Sequence, residues 1–345
     1  MTQDINLYDY DLPEGMIALY PAEPRDSSRL MFLPKDAGDL RHRRFKDFPD
    51  YFRDGDLLVL NDSRVFPARL YGKKKGTGGK VEIFLLDKLD GDSWEALVRP
   101  GRRLPPGTEI EFCEHFSATL GERTESGGRI VDFHNNGDLM PLIWKHGEVP
   151  LPPYIAREPE EDDKARYQTI YAENTGAVAA PTAGFHFTDT IFKQLKQKGV
   201  ETTRLTLHPG LGTFRPITKT DISQHRMHPE KYSISEDSAY RINKAKSEKR
   251  RVIAVGTTSA RALESSCDSG GMVVSAMERS TDLFINPPYE YKVVDGLLTN
   301  FHLPKSTLLL LVSALARRER VLAAYNEAIK EGYRFYSYGD AMLIL

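Results

Sequence analysis

At 345 residues the chain is longer than one ordinary core organises, and length alone points to about two domains. Hydrophobic residues at 40% and charged residues at 28% are the proportions of a soluble globular protein, and 47 basic against 49 acidic residues leave a net charge of −2 that does not announce a nucleic-acid binder, though it says nothing of local patches. The two cysteines, Cys113 and Cys267, stand far apart and in no CxxC spacing, which argues against a disulfide framework, a zinc ribbon and an iron–sulfur cluster.

The acidic start "MTQDINLYDYDLPEG" carries no apolar run of signal-peptide type, and the longest apolar run, within 308–316, is too short to span a bilayer. A cytoplasmic protein is therefore expected. From about 56 to 135 the runs "DLLVLND", "VFPARLYGKKK", "KVEIFLLDKL", "SWEALVRP", "TEIEFCE", "SATLGERT" and "GRIVDFHNNGD" are β-rich and separated by Gly, Pro and Asp. That spacing predicts a small antiparallel barrel or sandwich. The proline cluster "GEVPLPPYIAREPEEDD" reads as its exit linker. Beyond residue 165 helix and strand alternate. "TDTIFKQLKQKG" is a helix with an N-cap candidate at Thr188 and a stop at Gly199, and "VETTRLTL" is a strand. "SEDSAYRINKAKSEK", "TTSARALESSCDSGG" and "RVLAAYNEAIKEG" are helices, and "RRVIAVG" is a buried-type strand. Such alternation argues for an α/β layer structure, with the first 55 residues belonging to it.

Several motifs offer chemistry, each with a plain structural alternative. "GTGGKV" (76–81) lacks the Ser or Thr of a phosphate loop and reads as a hairpin tip. "HPGLGTFRP" carries Gly210 and Gly212 but no third glycine, so a ligand-lining loop competes with a tight turn. "HRMHPEKY" groups His225, His228 and Glu230, better suited to acid/base work than to a metal, with a solvated loop as the alternative. "VIAVGTTSARALE" places Thr257, Thr258 and Ser259 at a strand-to-helix turn, an anion site or simple N-capping. "LNDSRVFPARL" gathers Asp62, Arg64 and Arg69 at the proposed domain junction, and "RPGRR" adds Arg99 and Arg102, suited to phosphate but equally to solvent. In "APTAGFHFT" a lone histidine, His186, reads more readily as core than as catalyst.

Taken together, these segments resemble one family. "YDYDLPEGMIALYPAEPRDSSRLM", "LVLNDSRVFPARLYG", "GEVPLPPYIAR", "RYQTIYAENTGAVAAPTAGFHFT", "LTLHPGLGTFRPI", "HRMHPEKYSIS", "VIAVGTTSARALES", "VDGLLTNFHLPKSTLLLLVSALA" and "RFYSYGDAML" follow the order of its blocks. The chain is identified as a member of the S-adenosylmethionine:tRNA ribosyltransferase-isomerases of the queuosine pathway. The resemblance covers nearly the whole chain and is weakest across 73–95 and 110–140. Phe185, Pro209 and Pro288 depart from the family's usual Leu, Val and Gly, which touches pocket shape rather than any reactive group.

The resemblance implies an α/β, αβα sandwich-like main domain (1–60 and 153–345) with an inserted antiparallel all-β barrel domain (61–152) and an active cleft at their interface. It implies that S-adenosyl-L-methionine is consumed as a ribosyl donor and that no metal takes part. The acceptor would be 7-aminomethyl-7-deazaguanine at the wobble position of a tRNA, and the products epoxyqueuosine-tRNA, adenine and methionine. Such chemistry needs a base for a C5′ hydrogen beside the sulfonium, an acid for departing adenine, and a dry cleft. His186 is then the leading base candidate, with His228, Glu230 and Asp62 sharing acid/base or amine-binding work. Thr182, Gly184, Gly210, Gly212, Thr257, Thr258 and Ser259 would line the S-adenosylmethionine site. Arg64, Arg69, Arg99, Arg102, Asp282 and Asp340 would meet tRNA or the substrate's polar groups. A monomer is expected, with a dimer left open. The rival readings are an S-adenosylmethionine-dependent RNA methyltransferase, disfavoured by the missing glycine fingerprint, and a non-catalytic tRNA-binding protein, disfavoured by the aliphatic "KVEIFLL".

Overall fold

The structure, a computed structural model, describes residues 4–101, 103–125, 127–210, 217 and 219–345. The chain divides into two units, one formed by Met1–Arg64, Pro152–Arg157 and Gln168–Leu345, the other by Val65–Leu151 and Glu158–Tyr167.

The larger unit is built on a nine-stranded mixed sheet. Its order is Ala276–Thr281, Glu230–Ile234, Glu201–Leu207, Leu57–Asn61, Val252–Val255, Gly296–Asn300, Ala341–Ile344, Arg29–Leu33 and Arg41–Arg44. The four strands from Glu201–Leu207 to Gly296–Asn300 run parallel, and the edges add antiparallel pairs. Leu57–Asn61, which sequence groups with the β-rich stretch, is thus a central strand of this sheet. It is buried at every position, as are Val252–Val255, Gly296–Asn300 and Ala341–Ile344. Continuous apolar runs of this kind are what a parallel sheet covered on both faces requires.

The two faces are legible in the alternation of side chains. Leu57, Val59, Val252, Ala254 and Leu297 enter one core, while Leu58, Leu60, Ile253, Val255 and Leu298 enter the other. The first core is closed by helices Glu236–Ser247, Thr257–Ser266, Thr307–Ala316 and Arg318–Lys330. The second is closed by helix Asp189–Gln197 through Ile191 and Leu195, and by the 3-10 turns of Phe45–Tyr51 through Phe45 and Phe48. The N-caps are those that short hydroxyl side chains supply: Thr188, Ser235 and Ser306 each accept an N–H of the first turn.

The smaller unit holds a closed antiparallel barrel of Arg129–Asn135, Ser93–Arg99, Lys80–Lys88, Arg69–Lys74, Glu109–Cys113 and Phe116–Arg123. Burial alternates along Ser93–Arg99 and Phe116–Arg123, so one face of each strand fills the interior. No helix among the described residues is long and apolar enough to cross a membrane.

Candidate functional site

Open α/β sheets bind ligands beyond the carboxyl ends of their parallel strands, and here two adjacent strands end at one cleft. After Val252–Val255 the chain turns through Gly256, whose φ of +91° is a conformation that L side chains rarely adopt. Helix Thr257–Ser266 begins at once, with no side chain capping its first turn. After Gly296–Asn300 the chain passes His302 and enters helix Thr307–Ala316. The 3-10 turn Thr182–Gly184 supplies a further wall through Thr182 and Ala183. The cleft has an empty volume of about 680 Å³, open solvent included, and every described residue lining it belongs to the larger unit. Among the described residues that line it, none carries a carboxylate, ammonium or guanidinium group.

A buried polar chain runs back from this wall. Thr182 Oγ1 donates to Asn300 Oδ1 at 2.8 Å, and Asn300 Nδ2 lies 3.3 Å from His186 Nε2. His186 Nδ1 lies 2.8 Å from Ser28 Oγ, which reaches Arg25 O at 3.3 Å. With Asn300 donating to Nε2, the proton of His186 sits on Nδ1 and is given to Ser28. The ring packs 5.0 Å from that of Phe45. Burial, then the positive charges of Arg334 and Arg25, push the His186 pKa down to about 3. His186 is neutral, engaged at both nitrogens, and stands behind Asn300 instead of lining the cleft.

The imidazole that does line the cleft is His302. Its Nε2 lies 2.7 Å from Thr299 Oγ1, its backbone N–H donates to Tyr325 OH at 3.0 Å, and burial pushes its pKa down to about 3. Across the cleft, Tyr154 and Tyr336 pack with ring centroids 4.4 Å apart, and Tyr154 OH meets Ser337 Oγ at 2.6 Å. Tyr336 holds φ at +71°, rare for a bulky residue, and its buried hydroxyl has no hydrogen-bond partner among the described residues.

Of the residues singled out in the sequence, Thr182, Thr257 and Thr258 line the cleft. Ser259 does not: its hydroxyl donates back to Val255 O at 2.7 Å. Gly184 is a glycine for packing, because a Cβ there would come 2.1 Å from Tyr171 OH. Gly210 donates its N–H to Glu230 Oε1 at 3.1 Å, and Glu230 is further engaged in a buried ion pair with Arg261. His228 is exposed and is not joined to Glu230. Asp62 is buried and accepts from Thr206 Oγ1 at 2.7 Å. Asp340 is buried and accepts the N–H groups of Arg29 and Arg334, each at 2.8 Å, which ties strand ends together. Asp282, Arg64 and Arg99 are exposed, while Arg69 lies 3.7 Å from Glu82 and over the Phe84 ring. Gly212 and Arg102 lie outside the described residues. Asn300, His302, Tyr336 and Arg261 went unnoticed. The nearest sequence signal was "TNFHLPKST", a strand end running into a Ser-capped helix.

Comparison with known proteins gives this geometry its relatives. Residues 5–344 match the family described as queuosine biosynthesis protein. The S-adenosylmethionine:tRNA ribosyltransferase-isomerase of Heliobacterium modesticaldum is 51% identical over 343 residues, 99% of this chain and 100% of that protein. The protein of the same name from Moorella thermoacetica is 50% identical over 99% of both. The crystal structure of an S-adenosylmethionine tRNA ribosyltransferase from Thermotoga maritima matches with a TM-score of 0.55 and 37% identity, covering 98% of this chain and 100% of that one.

Proposed function

We propose that this chain, which belongs to the queuosine biosynthesis protein family, transfers and isomerises the ribosyl group of S-adenosylmethionine onto tRNA. The acceptor is 7-aminomethyl-7-deazaguanine at the wobble position, and the products are epoxyqueuosine-tRNA, adenine and methionine. The observation that carries this reading is the end-to-end likeness to ribosyltransferase-isomerases.

The cleft suits such a substrate. S-adenosylmethionine brings a sulfonium that acidifies its neighbouring C5′ hydrogens and makes methionine a leaving group. Uncharged walls cost a sulfonium less than a lysine or arginine would by repulsion, and they keep the site dry. Tyr154 and Tyr336 offer an aromatic wall to a flat base, and Thr182 and Asn300 offer hydrogen-bonding edges. His302 is the imidazole within reach of a bound ligand. The burial that destabilises its imidazolium weakens it as a base toward the C5′ hydrogen, and makes any proton it holds readily given to departing adenine. His186 acts one step removed, holding Asn300 in one orientation. The acceptor base sits in an unpaired anticodon loop, where presenting it to a cleft costs little unstacking. No metal is required in this scheme.

The test is a single incubation of the full chain with S-adenosylmethionine and a stem-loop RNA carrying the modified base. Free adenine and methionine in equal amounts, with the RNA gaining the ribosyl-derived mass, are expected. Methylated RNA with S-adenosylhomocysteine, or RNA binding without turnover, would overturn the reading.

A further inference from the structure

Beside the cleft lies a smaller pocket of about 300 Å³ empty volume, open solvent included, that shares Thr257, Thr258 and Leu308 with it. Leu283, Phe284, Ile285 and Leu311 make most of its remaining wall apolar. Two polar side chains interrupt that wall. Arg261 stands one turn along helix Thr257–Ser266 and is 4% exposed; Thr307 opens helix Thr307–Ala316 and is 5% exposed. The Arg261 guanidinium pairs with the buried Glu230 carboxylate, yet among the described residues its Nε has no hydrogen-bond partner, and neither has Thr307 Oγ1.

Buried donors are ordinarily satisfied, and two orphans on one small pocket mark the place of a missing acceptor. The amino ends of both helices border the same pocket and add their partial positive charge. The neighbouring cleft, by contrast, is lined among the described residues by no cationic side chain. A guest that spans the two chambers should therefore place its neutral, flat end in the cleft and a carboxylate attached to a short apolar chain in the pocket.

We infer that this pocket seats the methionine end of S-adenosylmethionine, with Arg261 and Thr307 receiving the α-carboxylate and Leu283, Ile285 and Leu311 covering the methylenes. The inference rests on the reading of S-adenosylmethionine as substrate and adds an arginine that the sequence did not single out. Burial lowers the Arg261 pKa only to about 10, so the group stays cationic at neutral pH.

The test compares equilibrium binding of S-adenosylmethionine with that of its decarboxylated analogue, which keeps the sulfonium and the adenosine. Wild type should prefer S-adenosylmethionine by about 10- to 100-fold, the range of a charge-assisted hydrogen bond. In Arg261→Gln the preference should fall to about threefold or less. Where that variant does not fold, Arg261→Gln/Glu230→Gln, which leaves no buried charge unpaired, takes its place. Thr307→Val removes a hydroxyl that has no hydrogen-bond partner among the described residues and should lower the preference several-fold with the fold intact. Equal binding of both ligands by wild type, or a preference unchanged in these variants, overturns the inference while adenine release still upholds the proposed reaction. Absence of S-adenosylmethionine binding together with absence of adenine release overturns both.

Discussion

Replacing His186 with glutamine separates a positioning role from a base role. The imidazole is 4% exposed, and its pKa is pushed down to about 3 by burial and by Arg334 and Arg25. An unfolded histidine titrates near ~6.5. Because the folded value is the lower one, protonation favours the unfolded chain; the fold keeps its full stability above about pH 6.5 and loses it as pH falls toward 3. At pH 5 the gap of about 1.5 pH units, at ~1.4 kcal/mol per unit, costs the fold about 2 kcal/mol relative to pH 8. Glutamine cannot titrate, and its amide retains a donor for Ser28 and an acceptor for Asn300. Urea unfolding at pH 5 and pH 8 should therefore show a pH-dependence about 2 kcal/mol smaller in His186→Gln than in wild type. The downward shift of His302 is present in both proteins and cancels. Turnover of the variant should stay within about tenfold of wild type, with an unchanged pH–rate profile, because proton transfer at the reacting atoms is worth about 10²–10⁴ and is not lost. A fall of more than about 10³-fold with a changed pH–rate profile would make His186 the base and refute this account.

Asn300→Ala removes the group that joins Thr182 to His186, and turnover should fall about 10²-fold, with a stability cost of about 1–3 kcal/mol for the buried partners left unpaired; kinetics within twofold of wild type would contradict its placement at the reacting centre. Gly184→Ala sets a methyl group against Tyr171 OH and should cost about 1–3 kcal/mol of stability while leaving the KM for S-adenosylmethionine unchanged. A raised KM at normal melting temperature would return Gly184 to the ligand. Prolonged treatment with a chelator should leave turnover intact, and activity restored by added divalent metal would contradict the metal-free scheme.

What the sequence made legible follows periodicity and capping. Strands such as Val252–Val255 and helices such as Asp189–Gln197, with Thr188 as its cap, stand where their local signals put them. The barrel strands were legible for the same reason, since alternation and turn residues are local. The site was less so. His186 and Gly184 owe their surroundings to Ser28, Asn300 and Tyr171, none of which adjoins them in the chain. Ser259 reads as a cap, but its hydroxyl is spent on the strand before it. Arg261 sits on an ordinary helical pattern, and only the fold reveals that it is buried against Glu230.

The central claim is that this chain moves the ribosyl group, and not the methyl group, of S-adenosylmethionine. The direct measurement uses substrate labelled separately in the methyl and the ribose carbons, with stem-loop RNA carrying 7-aminomethyl-7-deazaguanine. The account predicts ribose label in RNA, methyl label in free methionine, and one adenine released per transfer. Methyl label in RNA, with adenine retained in S-adenosylhomocysteine, would contradict it.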